Sequence, residues 1–86
     1  MFITVQNQTG LALNDVSISI VPQGSLPPFV ASAGRLESSE KRDIMLGDFT
    51  ERDGTRFSAR VVSPKAVRVA ASDINGKKYE VEYPWK

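Results

Sequence analysis

The clearest pattern of hydrophobic and polar positions in this chain lies near its C-terminus. Two runs, 67–72 and 77–83, alternate apolar and polar residues on either side of the segment 73–76, which reads Asp-Ile-Asn-Gly. Alternation with a period of two is typical of a β-strand that has one buried face. Because the two runs flank a short turn-forming segment, the pattern predicts a β-hairpin.

The register of this hairpin follows from its turn. A two-residue Asn-Gly loop would place Glu80 and Glu82 on the same face as the valines, which a half-buried sheet does not tolerate. A three-residue loop, 74–76, removes that conflict, and Gly76 can take the left-handed conformation that closes such a loop. The predicted cross-strand pairs are Val69 with Val81, Val67 with Tyr83, Ala71 with Tyr79, Arg68 with Glu82, Ala70 with Glu80, and Ser72 with Lys78.

Further strands are predicted along the rest of the chain. Alternating or β-rich runs stand at 2–7, 16–21, 41–46 and 56–62, separated by turn residues. A helix capped by Ser38 or Ser39 is the alternative for the third run, but 41–46 shows no helical apolar stripe. Segment 26–30 is predicted to be extended, and 32–39 to be a loop with at most one short strand.

The spacing of these elements predicts the fold class. Turn signals recur about every 8–12 residues without a convincing helix, as expected of an all-β protein. We predict a single antiparallel β-sandwich of about seven strands, forming one immunoglobulin-like domain over residues 1–86. The predicted core contains Ile3, Val5, Val16, Ile18, Ile20, Ile44, Leu46, Phe57, Ala59, Val61, Val67, Val69, Val81 and Tyr83.

The composition is that of a small globular domain, and it limits the classes of partner that can be expected. The 86 residues are 41% hydrophobic and carry a net charge of +1, so no global field attracts nucleic acid or anionic lipid. No apolar run approaches the ~20 residues of a membrane span. Strand-like sequence starts directly after Met1, which predicts either a cytoplasmic protein or a mature extracytoplasmic domain whose leader was replaced by a start methionine.

The order of elements resembles a known class of domain. The opening run 5–10, the serine-alternating strand 16–21, the polar turn 37–41 and the closing hairpin 67–83 are similar to small immunoglobulin-like and fibronectin-type-III-like domains of bacterial and phage proteins. The buried Trp and paired Cys of antibody-type domains are absent, since the sole Trp is Trp85. The resemblance implies an adhesion, docking or spacer role.

Enzymatic chemistry has little support in the sequence. The chain contains no His and no Cys, which excludes imidazole and thiol catalysis and the usual zinc, copper and haem ligand sets. The carboxylates between Asp43 and Asp53 are interleaved with basic residues, as in a solvated loop. We therefore predict a protein that is not an enzyme and that holds no metal or cofactor.

Basic side chains form the first candidate interaction site. Arg56 and Arg60 share the outward face of the predicted strand 56–62, Arg52 lies in the adjoining turn, and Arg68 extends the group if the next strand pairs nearby. Arginine suits phosphate and carboxylate partners. A charged surface that keeps a sheet face soluble is the alternative.

A second candidate is the proline-stiffened segment before the third strand. Pro28 and Phe29 would form a presented contact loop; the alternative is a loop that fixes Leu26 and Phe29 onto the core.

These observations favour a non-enzymatic protein-interaction or accessory module. Its partner would be another protein or a second copy, bound through a sheet edge or a set of loops. The alternative is a nucleic-acid-binding small β-barrel that uses the arginine-bearing face, although Glu80 and Glu82 on the outward face of the last strand oppose it. A small hydrolase is a third hypothesis.

Overall fold

Six antiparallel strands in two sheets make up the fold of the part of the chain that the structure describes. The computed structural model describes residues 2–58 and 60–85. In chain order the elements are β1 Phe2–Gln6, β2 Leu13–Pro22, β3 Phe29–Leu36, β4 Lys41–Met45, a 3-10 turn Leu46–Asp48, β5 Pro64–Asp73 and β6 Lys78–Pro84. One sheet has the order β1-β4 and the other β3-β2-β5-β6. The prediction of an all-β fold with antiparallel sheets is confirmed.

Strand β2 is an inner strand of the larger sheet, because it pairs with both β3 and β5. Val16, Ile18 and Ile20 alternate inward and are fully buried, as predicted. The strand starts earlier than predicted, at Leu13, and a β-bulge at Asp15 separates the two parts. Asp15 has a φ of 53°, and this extra residue resets the alternation so that Leu13 also points inward.

The two sheets share one hydrophobic core. Ile44 of β4 and Ile3 and Val5 of β1 pack from the smaller sheet against the inward row of the larger one. Phe49, directly after the 3-10 turn, is fully buried. The buried hydrophobic cluster comprises Leu13, Val16, Ile18, Ile20, Phe29, Ala31, Ala33, Leu36, Ile44, Leu46, Phe49, Phe57 and Val62.

One side of the fold, which we name the closed side, is joined by hydrogen bonds between the layers. Val30 of β3 and Thr50 exchange two backbone hydrogen bonds, with N···O distances of 2.8 and 3.1 Å. The guanidinium of Arg42 in β4 donates to the carbonyl oxygen of Ala33 in β3. Thr50 also forms a bridge with Arg56, so this short segment adds to the six strands.

Asn7 fixes the end of β1. Its side chain is buried, and its Nδ2 lies 2.6 Å from the carbonyl oxygen of Leu11 and 3.0 Å from that of Leu36. The backbone N–H of Asn7 donates to the carbonyl oxygen of Glu40 at 3.0 Å. Because Leu36 ends β3, β1 and β3 finish at the same end of the fold.

The predicted strand 56–62 is wrong. Among the described residues, Arg56 makes only the single bridge to Thr50. The N–H groups of Val61 and Val62 both donate to the carbonyl of Ser58, as in a tight turn. Val61, predicted inward, is 84% exposed, whereas Val62 is 9% exposed and belongs to the core. Alternation in a short run did not distinguish a strand from a turn. Ala59, also predicted inward, lies outside the described residues.

Strand β3 is longer than predicted. Residues 32–36 belong to it, although the sequence indicated a loop, because its inward positions Ala31 and Ala33 are small and give a weak hydrophobic signal. Phe29 starts the strand, is buried, and makes an edge-to-face contact with Phe57 at a centroid distance of 5.5 Å. Leu26 is exposed, so the segment before β3 does not fix it onto the core.

The hairpin register is confirmed in every predicted pair, from Ser72 with Lys78 to Val67 with Tyr83. The loop closes through hydrogen bonds from the Asp73 N–H to the Lys77 carbonyl and from the Gly76 N–H to the Asp73 carbonyl, each 3.0 Å. The core assignment of its last residues is wrong, however. Val81 and Tyr83 remain 46% and 60% exposed, because the smaller sheet does not extend over them.

Gly76→Val is expected to destabilise the hairpin. Gly76 has a φ of 81°, and a β-branched residue held in that left-handed region costs about 1–3 kcal/mol. Asn75→Ala is the control, because Asn75 contributes its backbone N–H to the turn. We expect this substitution to lower the free energy of unfolding by no more than about 0.5 kcal/mol. Urea unfolding of both variants measures the difference; equal losses would contradict the turn geometry.

The reversed burial of the two neighbouring valines is also testable. Val62→Ala removes a buried side chain and should lower the free energy of unfolding by about 1–3 kcal/mol. Val61→Ala changes an exposed side chain, so its free energy of unfolding should stay within about 0.5 kcal/mol of the wild-type value. Denaturant midpoints in the opposite order would restore the predicted strand 56–62.

Candidate interaction surface

The side of the fold opposite the closed side carries a groove, which we name the open groove. The inward face of β5 and β6 forms its floor, and β1 forms its wall. Its central part has a volume of about 370 Å³, and the groove continues past the end of β1 toward Ala71 and Tyr79. The central lining residues are Ile3, Thr4, Val5, Gln6, Val67, Val69, Val81 and Tyr83.

Unequal sheet widths create the open groove. Four strands face two, and β4 lies against β3 at the closed side. The lining of the groove shows that β1 lies near β5 at the other side. In the described part of the chain, β6 therefore has no strand opposite it. The larger sheet therefore projects beyond β1, and this leaves Val81 and Tyr83 uncovered on the floor.

Two strand edges border the open groove. Within residues 2–58 and 60–85, β1 pairs only with β4, and β6 only with β5. Their outer sides, which we name the open edges, present unpaired backbone N–H and C=O groups, a template for pairing with another strand. β1 contains neither a charged residue nor a proline, the usual devices that block such pairing.

Asp73 fixes the beginning of β6 and one end of the open groove. Its carboxylate is buried; Oδ1 accepts the backbone N–H groups of Asn75 at 2.9 Å and Lys77 at 3.0 Å. Oδ2 accepts the Tyr79 hydroxyl at 2.9 Å, which orients that ring along the groove. The sequence indicated Asp73 as the first turn residue, but its link to Tyr79 crosses the loop and has no sequence signal.

The hydrogen bonds to Asp73 shift two pKa values in opposite directions. Burial alone would raise the pKa of Asp73, but the hydrogen bonds from Tyr79, Lys77 and Asn75 outweigh it and hold that pKa below its ordinary value. The pKa of Tyr79 is raised, because its hydroxyl donates to the Asp73 carboxylate and ionisation would remove that bond. The carboxylate is therefore the form that the hairpin stabilises.

The four predicted arginines do not form one patch. Arg52, Arg56 and Arg60 are exposed on the turns that follow the closed-side bridge. Arg68 lies on the outer face of β5, where its guanidinium donates to Glu82 at 2.8 and 3.2 Å.

Their separation follows from strand pairing. Register partners join Arg56, Thr50, Val30, Ser19 and Arg68 in one row across the strands. Four spacings of ~4.8 Å separate the first from the last, about 19 Å. The structure therefore does not bring Arg68 to the other three.

The predicted contact loop is divided between surface and core. Pro28 is exposed, whereas Phe29 is buried in the core and is not available to a partner.

The acidic loop has the geometry of a turn. Hydrogen bonds from the Thr55 side chain and from the Thr55 backbone N–H, the latter at 2.8 Å, lower the pKa of Asp53. A hydrogen bond with Asp53 raises the pKa of Glu51. Across residues 2–58 and 60–85 no group of three or more Asp or Glu side chains is arranged to hold a metal ion. The same described residues include no helix long and apolar enough to cross a membrane.

Comparison of the chain with protein-family models, with curated proteins and with solved structures finds no match.

Protonation of Asp73 is expected to weaken the fold at low pH. Its pKa is lower in the folded state than the ordinary ~3.9, so its contribution is complete above that value and is lost as pH falls through the folded pKa. We predict that wild type is more stable than Asp73→Asn at pH 7 and that the difference shrinks below about pH 4.

Urea midpoints of the two proteins between pH 2.5 and 7 measure this effect. Tyr79→Phe keeps both backbone hydrogen bonds to Asp73, so at pH 7 its stability should lie closer to that of wild type than the stability of Asp73→Asn does. A constant difference between wild type and Asp73→Asn across the range would contradict a stabilising carboxylate.

Proposed function

We propose that this chain is a non-enzymatic protein-interaction module, or the accessory domain of a larger assembly, and that it associates with protein through its open side. One observation carries the proposal: the open groove places an uncovered apolar floor directly beside the open edges of β1 and β6. A partner strand added there gains backbone hydrogen bonds from the edge and buried apolar area from the floor.

The exposed apolar side chains of the groove support this function. Val81 and Tyr83 are neighbours on one face of β6 and are 46% and 60% exposed. Beside them lie the half-buried Val67 and Val69. Contiguous apolar surface of this kind marks interaction sites in soluble proteins. Tyrosine is also enriched at protein interfaces, where its ring is buried and its hydroxyl keeps a polar partner.

The strand arrangement is compatible with an immunoglobulin-like sandwich. Two antiparallel sheets enclose one core, and we propose that they represent a short form of that domain type, of the kind found in bacterial and phage proteins. Domains of that type mostly serve in adhesion, docking or spacing. Because fold alone does not fix function, the proposal depends on the groove rather than on this resemblance.

The chemistry of the groove supports binding rather than catalysis. Its central lining is aliphatic except for Thr4, Gln6 and the Tyr83 ring. The chain contains no His or Cys, and the Asp73 carboxylate is occupied by three hydrogen bonds. No observation favours the nucleic-acid alternative, since Arg68 lies apart from the other three arginines that it required.

The function is tested by capture with matched variants. Immobilised wild type is expected to retain a stoichiometric protein partner, either another protein or a second copy, from native lysate. Val81→Lys places a charge on the groove floor and should reduce the retained amount at least about tenfold. Glu80→Lys, one position away on the opposite face of β6, carries the same new side chain and should retain the partner.

Thermal melts of both variants check that each remains folded. A wild-type chain that stays monomeric and retains no protein would contradict the proposed function. Equal loss of the partner in Val81→Lys and Glu80→Lys would also contradict it, because the groove floor would then have no special part in binding.

A further inference from the structure

We propose that the partner on the open side is a second copy of this chain, in a twofold dimer in which β1 of each copy pairs with β6 of the other. The inference rests on the proposed function and specifies its partner. Its starting point is the self-complementary shape of the open side, where the larger layer projects beyond β1 and the smaller layer ends short of β6.

A rotation of 180° about an axis parallel to the strands places the projecting layer of each copy in the space left by the shorter layer of the other copy. The rotation places the larger sheet of the second copy in the layer of the smaller sheet of the first. The projecting β6 of the second copy therefore lies beside β1 of the first, and β6 of the first lies beside β1 of the second. Each sheet then becomes six-stranded, in the order β3-β2-β5-β6 followed by β1-β4 of the second copy. Both open edges of each chain are paired, and the two groove floors face each other.

The strand directions required for this pairing are present. β1 ends beside the end of β3, where Asn7 contacts the Leu36 carbonyl. β5 also ends there, since Leu13 pairs with both Leu36 and Asp73, and β6 therefore begins there. Consequently β1 and β6 run in opposite directions. A rotation about an axis parallel to the strands preserves direction, so β1 meets the β6 of the second copy as an antiparallel neighbour.

Side-chain alternation also matches across the new pair. Within one copy, Ile3 to Gln6 lie at the level of Val81 and Tyr83, while Tyr79 lines only the part of the groove beyond Gln6. Because the rotation moves no residue along the strand direction, these levels are the same in the dimer. They predict inward pairs of Ile3 with Tyr83 and of Val5 with Val81. Thr4 then lies opposite Glu82 on the outer face.

Charge favours this pairing over pairing of β6 with itself. β1 has no charged side chain, so Glu80 and Glu82 of the second copy meet only Gln6 and Thr4. An antiparallel β6–β6 pair centred on Val81 would instead set Glu80 directly opposite Glu82, a destabilising contact. A β1–β1 pair is blocked sterically, because the projecting β6 of each copy would occupy the space of the other copy's larger sheet.

The size of the contact sets the expected affinity. β1 and β6 supply five and seven residues, and even with the groove floor each chain contributes fewer than the ~20–30 residues of a standard interface. We therefore expect a dissociation constant on the order of micromolar and a reversible dimer. Light scattering should show the mass doubling from the 9.4 kDa monomer as the concentration rises to about 500 µM.

Cysteine cross-linking gives the decisive test, because the chain has no cysteine of its own. Thr4→Cys and Glu82→Cys change exposed residues on opposite outer faces of one copy, so they cannot form a disulfide within a chain. In the proposed dimer they are cross-strand neighbours in two different chains. Mild oxidation of an equal mixture should give covalent heterodimers, while each variant alone should give at least about tenfold less dimer.

Gln6→Cys, two residues along β1, tests a register shifted by two, and a heterodimer with Glu82→Cys would support the same edge pairing. Self-cross-linking of Glu82→Cys alone at the heterodimer level would overturn the proposal, since β6 would be pairing with itself. A monomeric mass at about 500 µM with no cross-linking would also overturn it. If capture of another protein then still depends on Val81, the proposed function stands with a different partner; if capture fails too, both are wrong.

Discussion

The inward row of β2 is the feature on which both layers depend. β2 is the only strand between β3 and β5 in the larger sheet, and its buried Val16, Ile18 and Ile20 meet the smaller sheet across the core. Because side chains alternate strictly, a register slip of one residue would expose this whole row. The bulge at Asp15 adds Leu13 to the row without a slip, so the core reaches the end of the fold where Asn7 fixes β1.

The sequence could predict those parts of the fold in which large side chains alternate against polar ones. β2 and the β5–β6 hairpin satisfy that condition, and the hairpin register followed from two glutamates that had to avoid the valine face. β3 does not satisfy it, because Ala31 and Ala33 bury little area and resemble loop residues in a pattern. Segment 56–62 failed for the opposite reason: its alternation was real, but a turn at Ser58 redirected the chain, so Val62 rather than Val61 reached the core.

The candidate surface was only partly predictable for a related reason. Alternation showed that Val81 and Tyr83 share the inward face of β6, and the structure agrees. Whether an inward face is covered depends on how many strands lie opposite it, a long-range property that no local pattern contains. The same limit affected the arginines: Arg56 and Arg68 both point outward from strand-like segments, yet the strand order separates them by three intervening strands or bridges.

The contrast between the two sides of the fold supports the proposal that the open side binds a partner. On the closed side, the edge of β3 is occupied by the Val30–Thr50 backbone pair and by the Arg42 guanidinium at the Ala33 carbonyl. Natural sheets also protect an exposed edge with a charge, a proline or a bulge, because an unprotected edge leads to aggregation. β1 has none of these, and an apolar floor lies next to it. In the dimer that we propose, a second copy supplies a strand of opposite direction with an apolar inward face, and its outward glutamates lie opposite uncharged residues of β1.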